Sequence, residues 1–164
     1  MPYAAWQQTF DPLLTAGARN YWKSHNFAQL SDGAIDATIA FVERLPSPQC
    51  ELFIAALGGR VSNVASDATA YVHRDSPFVM NVHARWDAAD QDASCIGWAR
   101  DFFNASAQYA TGGVYVNFLT QDEPDRVAAA YGPCFERLKQ AKLTFDPDNV
   151  FRLNQNIAPA ARDA

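Results

Sequence analysis

The stretch Phe78-Val-Met-Asn-Val-His-Ala-Arg-Trp86 decides the fold class of this 164-residue chain. Its first, third, fifth and seventh residues are apolar, and the residues between them are mostly polar. This period of two is typical of a strand with one buried face, and such strands occur mainly in antiparallel sheets. Asn81 and His83 are therefore predicted to lie together on the face opposite the core.

Outward from this strand, further segments have the composition of strands or helices. We predict extended chain or strands at 20–30, 50–57, 68–74 and 114–119, the second of them buried. We predict helices at 3–14, 31–45, 89–109 and 124–143. Ser31 is a suitable N-cap for the second helix, whose apolar positions share one face, and Pro133 should break the last helix. These elements predict an α+β fold with a mainly antiparallel sheet and helices beside it.

Composition argues against several classes of partner. The formal charge is −5 and no run of Lys or Arg occurs, so nucleic acid and anionic membranes are not expected partners. No apolar run is long enough to span a bilayer, and the first residues lack the pattern of a signal peptide, which favours a cytoplasmic protein. The three Cys residues are far apart and the three His residues have no metal-binding spacing, so no metal site is predicted.

Five motifs, in this order, are similar to the C-terminal part of berberine-bridge-enzyme-like oxidases of the vanillyl-alcohol-oxidase superfamily. They are Asn20-Tyr-Trp-Lys-Ser24, Leu57-Gly-Gly-Arg60, Ala70-Tyr-Val-His-Arg74, Gly112-Gly-Val-Tyr-Val-Asn117 and Phe145-Asp-Pro-Asp-Asn-Val-Phe-Arg-Leu-Asn-Gln-Asn-Ile157. The last motif is the most specific, and together the motifs extend over nearly the whole chain.

The resemblance implies a division of the chain and a missing cofactor domain. Residues 1–111 would be part of a substrate-binding domain, and residues 112–164 would be the berberine-bridge-type C-terminal segment. FAD is expected for the complete enzyme, held by a flavin-binding domain or chain in cis or in trans. The His and Cys that attach flavin in the family have no counterpart here, nor does the glycine-rich phosphate-binding region, so this chain alone is not expected to bind FAD.

The resemblance also assigns roles to residues of the last predicted strand. Tyr115 matches the tyrosine that lies over the flavin and serves as catalytic base or as its partner. Asn117, two residues further on, would share its strand face and contact the flavin or fix the tyrosine. The alternatives are a structural buried tyrosine and a solvated polar residue. Asn154 matches the family tail and would lie against the flavin side.

On the strand that ends at Trp86, Asn81 matches a position that contributes to the substrate pocket, and Trp86 would line that pocket too. An amide takes up no proton near neutral pH, so Asn81 is no base. The base would then be Tyr115 or His83, since an imidazole titrates near neutral pH. The alternative for His83 is an ordinary pocket or surface histidine.

Three functions remain open. The first is the substrate-side portion of an FAD-dependent oxidoreductase that oxidises a small organic substrate, an alcohol, a sugar or a phenolic compound, and is inactive without the flavin domain. The second is a non-catalytic binding or assembly module that forms a homodimer through the sheet, because a sheet face that has lost its cover exposes apolar surface. The third is a cofactor-free enzyme that uses His83 and Tyr115.

Overall fold

A computed structural model describes residues 1–161 and contains one three-stranded antiparallel sheet with the strand order β1-β3-β2. The strands are β1 (Arg19–Phe27), β2 (Glu51–Ala56) and β3 (Phe78–Trp86). The α-helices are α1 (Tyr3–Gln7), α2 (Asp32–Val42), α3 (Asp92–Ser106), α4 (Val127–Tyr131) and α5 (Phe135–Phe145). Short 3-10 turns occur at Asp11–Leu13, Ala89–Gln91, Ala107–Tyr109, Val116–Phe118, Pro124–Arg126 and Gly132–Cys134. The predicted α+β class with an antiparallel sheet is confirmed.

The central strand β3 gives the sheet two chemically different faces. Its alternate residues Met80, Val82 and Ala84 are at most 2% exposed and pack in the core with α3. Rings from both flanking helices close this core, among them Phe41 of α2 and Phe102 of α3. Removing such a buried ring costs about 3–5 kcal/mol, so this one face supplies much of the stability.

The opposite face of the sheet carries polar and aromatic side chains, and we call it the cleft face. In the strand register, His83 is opposite Trp22 of β1 and opposite Glu51 of β2. Asn81 is opposite Ser24 and Phe53 in the same way. Residues that are directly opposite each other share a face, so the predicted position of Asn81 and His83 away from the core is confirmed.

Two predicted strands are wrong. Residues 68–74 form turns and irregular chain, and residues 114–119 contain the 3-10 turn Val116–Phe118. The backbone N–H of Phe118 donates to the carbonyl of Tyr115 at 2.9 Å, a local bond in place of a sheet bond. Tyr115 and Asn117 therefore do not share a strand face, although they are in contact.

The segment after Gly112 lies close over the sheet. A Cβ atom on Gly113 would stand 2.6 Å from the His73 ring and 3.1 Å from the Asn26 amide nitrogen. No side chain fits at those distances, so the glycine pair permits the close backbone approach that we predicted as one of its uses. This approach carries Tyr115 and Asn117 onto the cleft face.

The burial of two predicted elements differs from expectation. Ser31 caps α2 as predicted, since its hydroxyl accepts a bond from the N–H of Ala34 at 3.3 Å. The apolar side chains predicted to face the core from this helix are instead 38–51% exposed: Ile35, Ile39, Val42 and Leu45. Strand β2 is at the sheet edge, and its Phe53 is 45% exposed, because the described residues provide no neighbour on that side.

The last helical stretch is interrupted as predicted. Helices α4 and α5 are separated by the turn Gly132–Cys134, and Gly132 takes a φ of +47° just before Pro133. The missing N–H and fixed ring of proline break the helix there.

Buried charges connect the C-terminal segment to β1. The Lys23 ammonium lies 3.1 Å from Asp122 and 3.3 Å from Glu123, whose side chain is only 4% exposed. Arg126 pairs with Glu123 and also donates to the Ser24 carbonyl at 3.0 Å. The two predicted parts, 1–111 and 112–164, are thus in direct contact here, and the boundary between them stays a prediction.

Candidate functional site

A cleft of about 400 Å³ opens on the cleft face of the sheet. All three strands contribute to it, together with the segment near Asn117 and the chain near Thr15. Its lining combines hydrogen-bonding and aromatic groups, which include Asn20, Trp22, Glu51, Phe53, Asn81, His83, Arg85, Asn117 and Phe118. Such a mixture is typical of pockets for small organic molecules.

His83 occupies the middle of this cleft with both ring nitrogens in contact. Its Nδ1 lies 3.1 Å from a carboxylate oxygen of Glu51, and its Nε2 lies 3.0 Å from the amide oxygen of Asn20. The Trp22 ring meets the imidazole edge-on, with ring centroids 5.9 Å apart. As neither nitrogen is free, a substrate proton could reach His83 only if one of these contacts opened.

Asn81 lies deeper in the same cleft and is only 5% exposed. Its side-chain Nδ2 has no hydrogen-bond partner among the described residues. A buried donor without a partner costs about 1–3 kcal/mol. An oxygen atom of a bound molecule or of a water would remove that cost.

Tyr115 lies in an adjoining cavity of about 540 Å³ that is mostly apolar. Phe53 and Phe118 line both this cavity and the cleft. The Asn117 amide, which lines the cleft, donates to the Tyr115 hydroxyl at 2.7 Å and so connects the two spaces. Tyr115, Asn117, Asn81 and His83 are therefore brought to one sheet face.

Two residues of the Tyr115 cavity were not predicted as site residues. Tyr71 meets Tyr115 edge-on at 6.1 Å, and the Arg74 guanidinium is 5.3 Å from the centre of the Tyr71 ring. Burial raises the pKa of Tyr71, and the charge of Arg74 acts in the opposite direction. The motif Ala70-Tyr-Val-His-Arg74 was the available signal, but its strand assignment concealed the inward position of Tyr71.

Trp86 does not join the other predicted site residues. It is 2% exposed in the core, and its indole N–H donates to Asp92 at 2.7 Å. Counting along the strand explains the error, because Trp86 is five residues from Asn81 and an odd separation places it on the opposite face. Its predicted role in substrate binding is therefore replaced by a role in the core.

Asn154 lies further along the surface, in a polar cleft of about 690 Å³ that also includes Asn20 and Asn117. Its backbone takes a φ of +61°, which asparagine tolerates better than most residues. The neighbouring Gln155 fixes the tail, because its amide donates to the Leu119 carbonyl at 2.8 Å. Asn117 thus borders both clefts, with Asn154 on the far side of the second.

Comparisons with known proteins place this site in a family. A family model described as berberine and berberine like matches residues 114–158. The FAD-linked oxidoreductase YgaK of Bacillus subtilis, described as uncharacterized, is 32% identical over 133 residues, which are 81% of this chain and 29% of that protein. Berberine bridge enzyme-like C-1 of Nicotiana tabacum is 30% identical over 153 residues, 73% of this chain and 27% of that protein.

Solved structures agree on the fold. The berberine bridge enzyme of Eschscholzia californica matches with a TM-score of 0.78 at 21% identity, over 92% of this chain and 35% of that one. The glycopeptide hexose oxidase DBV29 gives a TM-score of 0.78 at 21% identity, over 87% and 33%. This chain belongs to the berberine-bridge-enzyme-like family of FAD-linked oxidoreductases. It spans about a third of the length of the relatives it matches.

Members of the berberine-bridge-enzyme-like family are FAD-linked, so the cleft face is tested here for its fit to a flavin. The exposed amide of Asn117, the nearby Asn154 and the ring of Phe118 could meet the flat, hydrogen-bonding ring system. The sequence has no glycine-rich loop of the form that binds a pyrophosphate at a helix N-terminus. The described residues thus fit the ring end of a flavin and not its phosphates.

Two negative findings complete the description of the site. Within residues 1–161, no three His, Cys, Asp or Glu side chains are grouped so that they could hold a metal ion. Nor does any helix of this described part have the length and apolar character needed to cross a membrane.

Proposed function

We propose that this chain forms the substrate side of an FAD-dependent oxidoreductase that acts on the hydroxyl group of an alcohol, a sugar or a phenolic compound. The observation that carries the proposal is the contact between Asn117 and the Tyr115 hydroxyl on the face that bears the unpartnered Asn81 amide. Two relatives of known structure are named as sugar-oxidising proteins, a glycopeptide hexose oxidase and a glucose dehydrogenase, which favours a sugar among these substrates.

In this proposal Tyr115 takes the proton of the substrate hydroxyl. A bound flavin supplies the acceptor for the hydride that leaves the neighbouring carbon. A phenol has a pKa of about 10, so its anion must be stabilised before it can act near neutral pH. The Asn117 amide does this in part, because its N–H donates to the phenol oxygen and would donate more strongly to a phenolate.

The remaining residues of the cleft orient the substrate. The buried Asn81 Nδ2 would donate to an oxygen of the substrate, and Trp22 and Phe53 offer apolar surface for its carbon skeleton. Asn117 and Asn154 face the side on which the flavin would lie. No side chain of the described part is a redox centre, so the chain alone is expected to be inactive and to need a flavin-binding domain in cis or in trans.

The test joins this chain to the FAD-binding portion of the Bacillus subtilis relative YgaK and follows flavin reduction by absorbance without oxygen, for panels of sugars, alcohols and phenols. In the joined protein, Tyr115→Phe should lower the rate of flavin reduction by about 10²–10⁴-fold and leave the flavin spectrum unchanged. Tyr131→Phe is the matched control, since Tyr131 packs in a separate apolar cluster. An unchanged rate in Tyr115→Phe would exclude Tyr115 as the base.

A second function, a non-catalytic assembly module, is favoured by the exposed apolar surface. The stripe on α2 and the edge strand β2 together expose Ile35, Ile39, Val42, Leu45, Phe53 and Ile54. An uncovered strand edge beside apolar side chains is a surface for pairing with another chain. Sedimentation of the chain alone over a range of concentrations tests this, and a monomer at all concentrations would contradict a homodimer.

A further inference from the structure

A chain of polar contacts crosses the sheet at His83 and includes one residue from each strand. Asn20 of β1, His83 of β3 and Glu51 of β2 are joined by contacts of 3.0 and 3.1 Å. The His83 side chain is 13% exposed, whereas that of Glu51 is 56% exposed. The imidazole is therefore enclosed while its carboxylate partner remains in water.

The orientation of Asn20 decides which His83 nitrogen carries hydrogen. The Asn20 amide nitrogen donates to the Ala18 carbonyl at 2.8 Å, which turns its amide oxygen toward His83 Nε2. The opposite orientation would place the amide oxygen against the Ala18 carbonyl, and two acceptors would then face each other. Since the amide oxygen accepts only, Nε2 must be the donor.

The second nitrogen faces a group that also accepts only. An ionised carboxylate offers no hydrogen, and the exposed Glu51 is free to stay ionised in water. With Nε2 already bearing hydrogen, a neutral ring would turn its Nδ1 lone pair toward the carboxylate at 3.1 Å. A second proton on the ring removes this repulsion and forms a charge-assisted bond.

We propose that Glu51 and Asn20 hold His83 as a doubly protonated imidazolium at neutral pH, so that His83 is a fixed positive charge in the cleft and not a proton acceptor. Glu51 is thus a positioning residue of the site. The other charged side chain that lines the cleft is Arg85, two residues along the same face. Its charge opposes the second proton, but it is directed to Thr15, whose carbonyl and hydroxyl it contacts, whereas Glu51 touches the ring itself.

The consequence for chemistry rests on the proposed function. An imidazolium beside the substrate favours an oxygen that gains negative charge as its proton leaves, and it leaves Tyr115 as the base. Because both of its N–H groups are already engaged, His83 acts on that oxygen through its charge. The cleft is accordingly suited to neutral hydroxyl compounds that become anionic during reaction.

The proton state can be measured in this chain without flavin or substrate. Two-bond ¹H–¹⁵N correlation spectra of ¹⁵N-labelled histidine distinguish an imidazolium from each neutral tautomer, and His83→Gln assigns the signal. At pH 7 both His83 nitrogens should show the imidazolium pattern. In Glu51→Gln, which keeps the shape but removes the charge, the midpoint for loss of the second proton should fall by about 0.5–1 pH unit.

Glu43→Gln is the matched control, because Glu43 is an exposed glutamate at the end of α2 and should leave the His83 midpoint where it is. A neutral His83 at pH 7, or the same midpoint with and without the Glu51 carboxylate, would overturn the proposal. Either result concerns the isolated chain, so it is separate from a failure of the flavin-reduction experiment.

Discussion

At the scale of single residues, His25 should make the stability of the chain depend on pH. Its ring stacks on Phe103 at 4.1 Å, and its Nε2 contacts the Phe103 carbonyl at 3.0 Å. Burial lowers the pKa of His25 from 6.5 to about 4, so the folded chain keeps it neutral while the unfolded chain protonates it. Since the unfolded state binds more protons between these two values, stability falls as the pH falls through this window.

We expect His25→Gln to remove this contribution. The loss of unfolding free energy between about pH 7.5 and about pH 5.5 should shrink by about 1 kcal/mol in the variant, as measured by urea unfolding. Asn104→Gln, an exposed change on the same helix, should keep the full pH dependence. If His25→Gln has the same pH dependence as the unaltered chain, His25 is not the group responsible.

At the scale of elements, the turn that follows Leu119 is attached to β1 by a buried carboxylate. Burial acts to raise the pKa of Glu123, but bonds from Arg126 and Thr120 outweigh it and lower that pKa overall. Glu123→Gln should cost about 3 kcal/mol of unfolding free energy, because Lys23 and Arg126 then lose their buried partner. Chemical denaturation at neutral pH measures this cost.

Another glutamate provides the comparison for this change. Glu136 pairs with Lys139 at 3.0 Å on α5, but its side chain is 74% exposed. Glu136→Gln should therefore cost no more than about 0.5 kcal/mol. Equal costs for the two variants would show that the ion pairs around Glu123 do not hold the C-terminal segment to the sheet.

At the scale of the whole molecule, the exposed stripe on α2 should drive association of the chain in the absence of other cover. Ile39 and Val42 are 51% and 45% exposed. Replacing both with Gln should weaken self-association by about 10-fold or more, since each side chain would otherwise bury part of its surface. Ala40→Gln, on the exposed side of the same helix, is the control, and sedimentation equilibrium is the measurement. Equal association constants would remove α2 from the interface.

The same three scales show how much could be predicted from the sequence. Strand β3, the cap at Ser31 and the break at Pro133 follow from local chemistry, and each was confirmed. The segment 114–119 was wrongly predicted as a strand, because its apolar alternation is also compatible with a 3-10 turn over a sheet. Local pattern cannot distinguish these cases when backbone bonds with distant strands are undecided.

The sequence by itself determined the family, the antiparallel strand and the polar positions Asn81 and His83, because these depend on motif and on the period of two. Only the tertiary structure decided that Glu51 and Asn20 meet His83, that Asn117 contacts Tyr115, and that Trp86 belongs to the core. Contacts between strands depend on register, and register is set by the packing of the whole sheet. A linear pattern records which face a residue takes on its own strand, but not which residue stands opposite it.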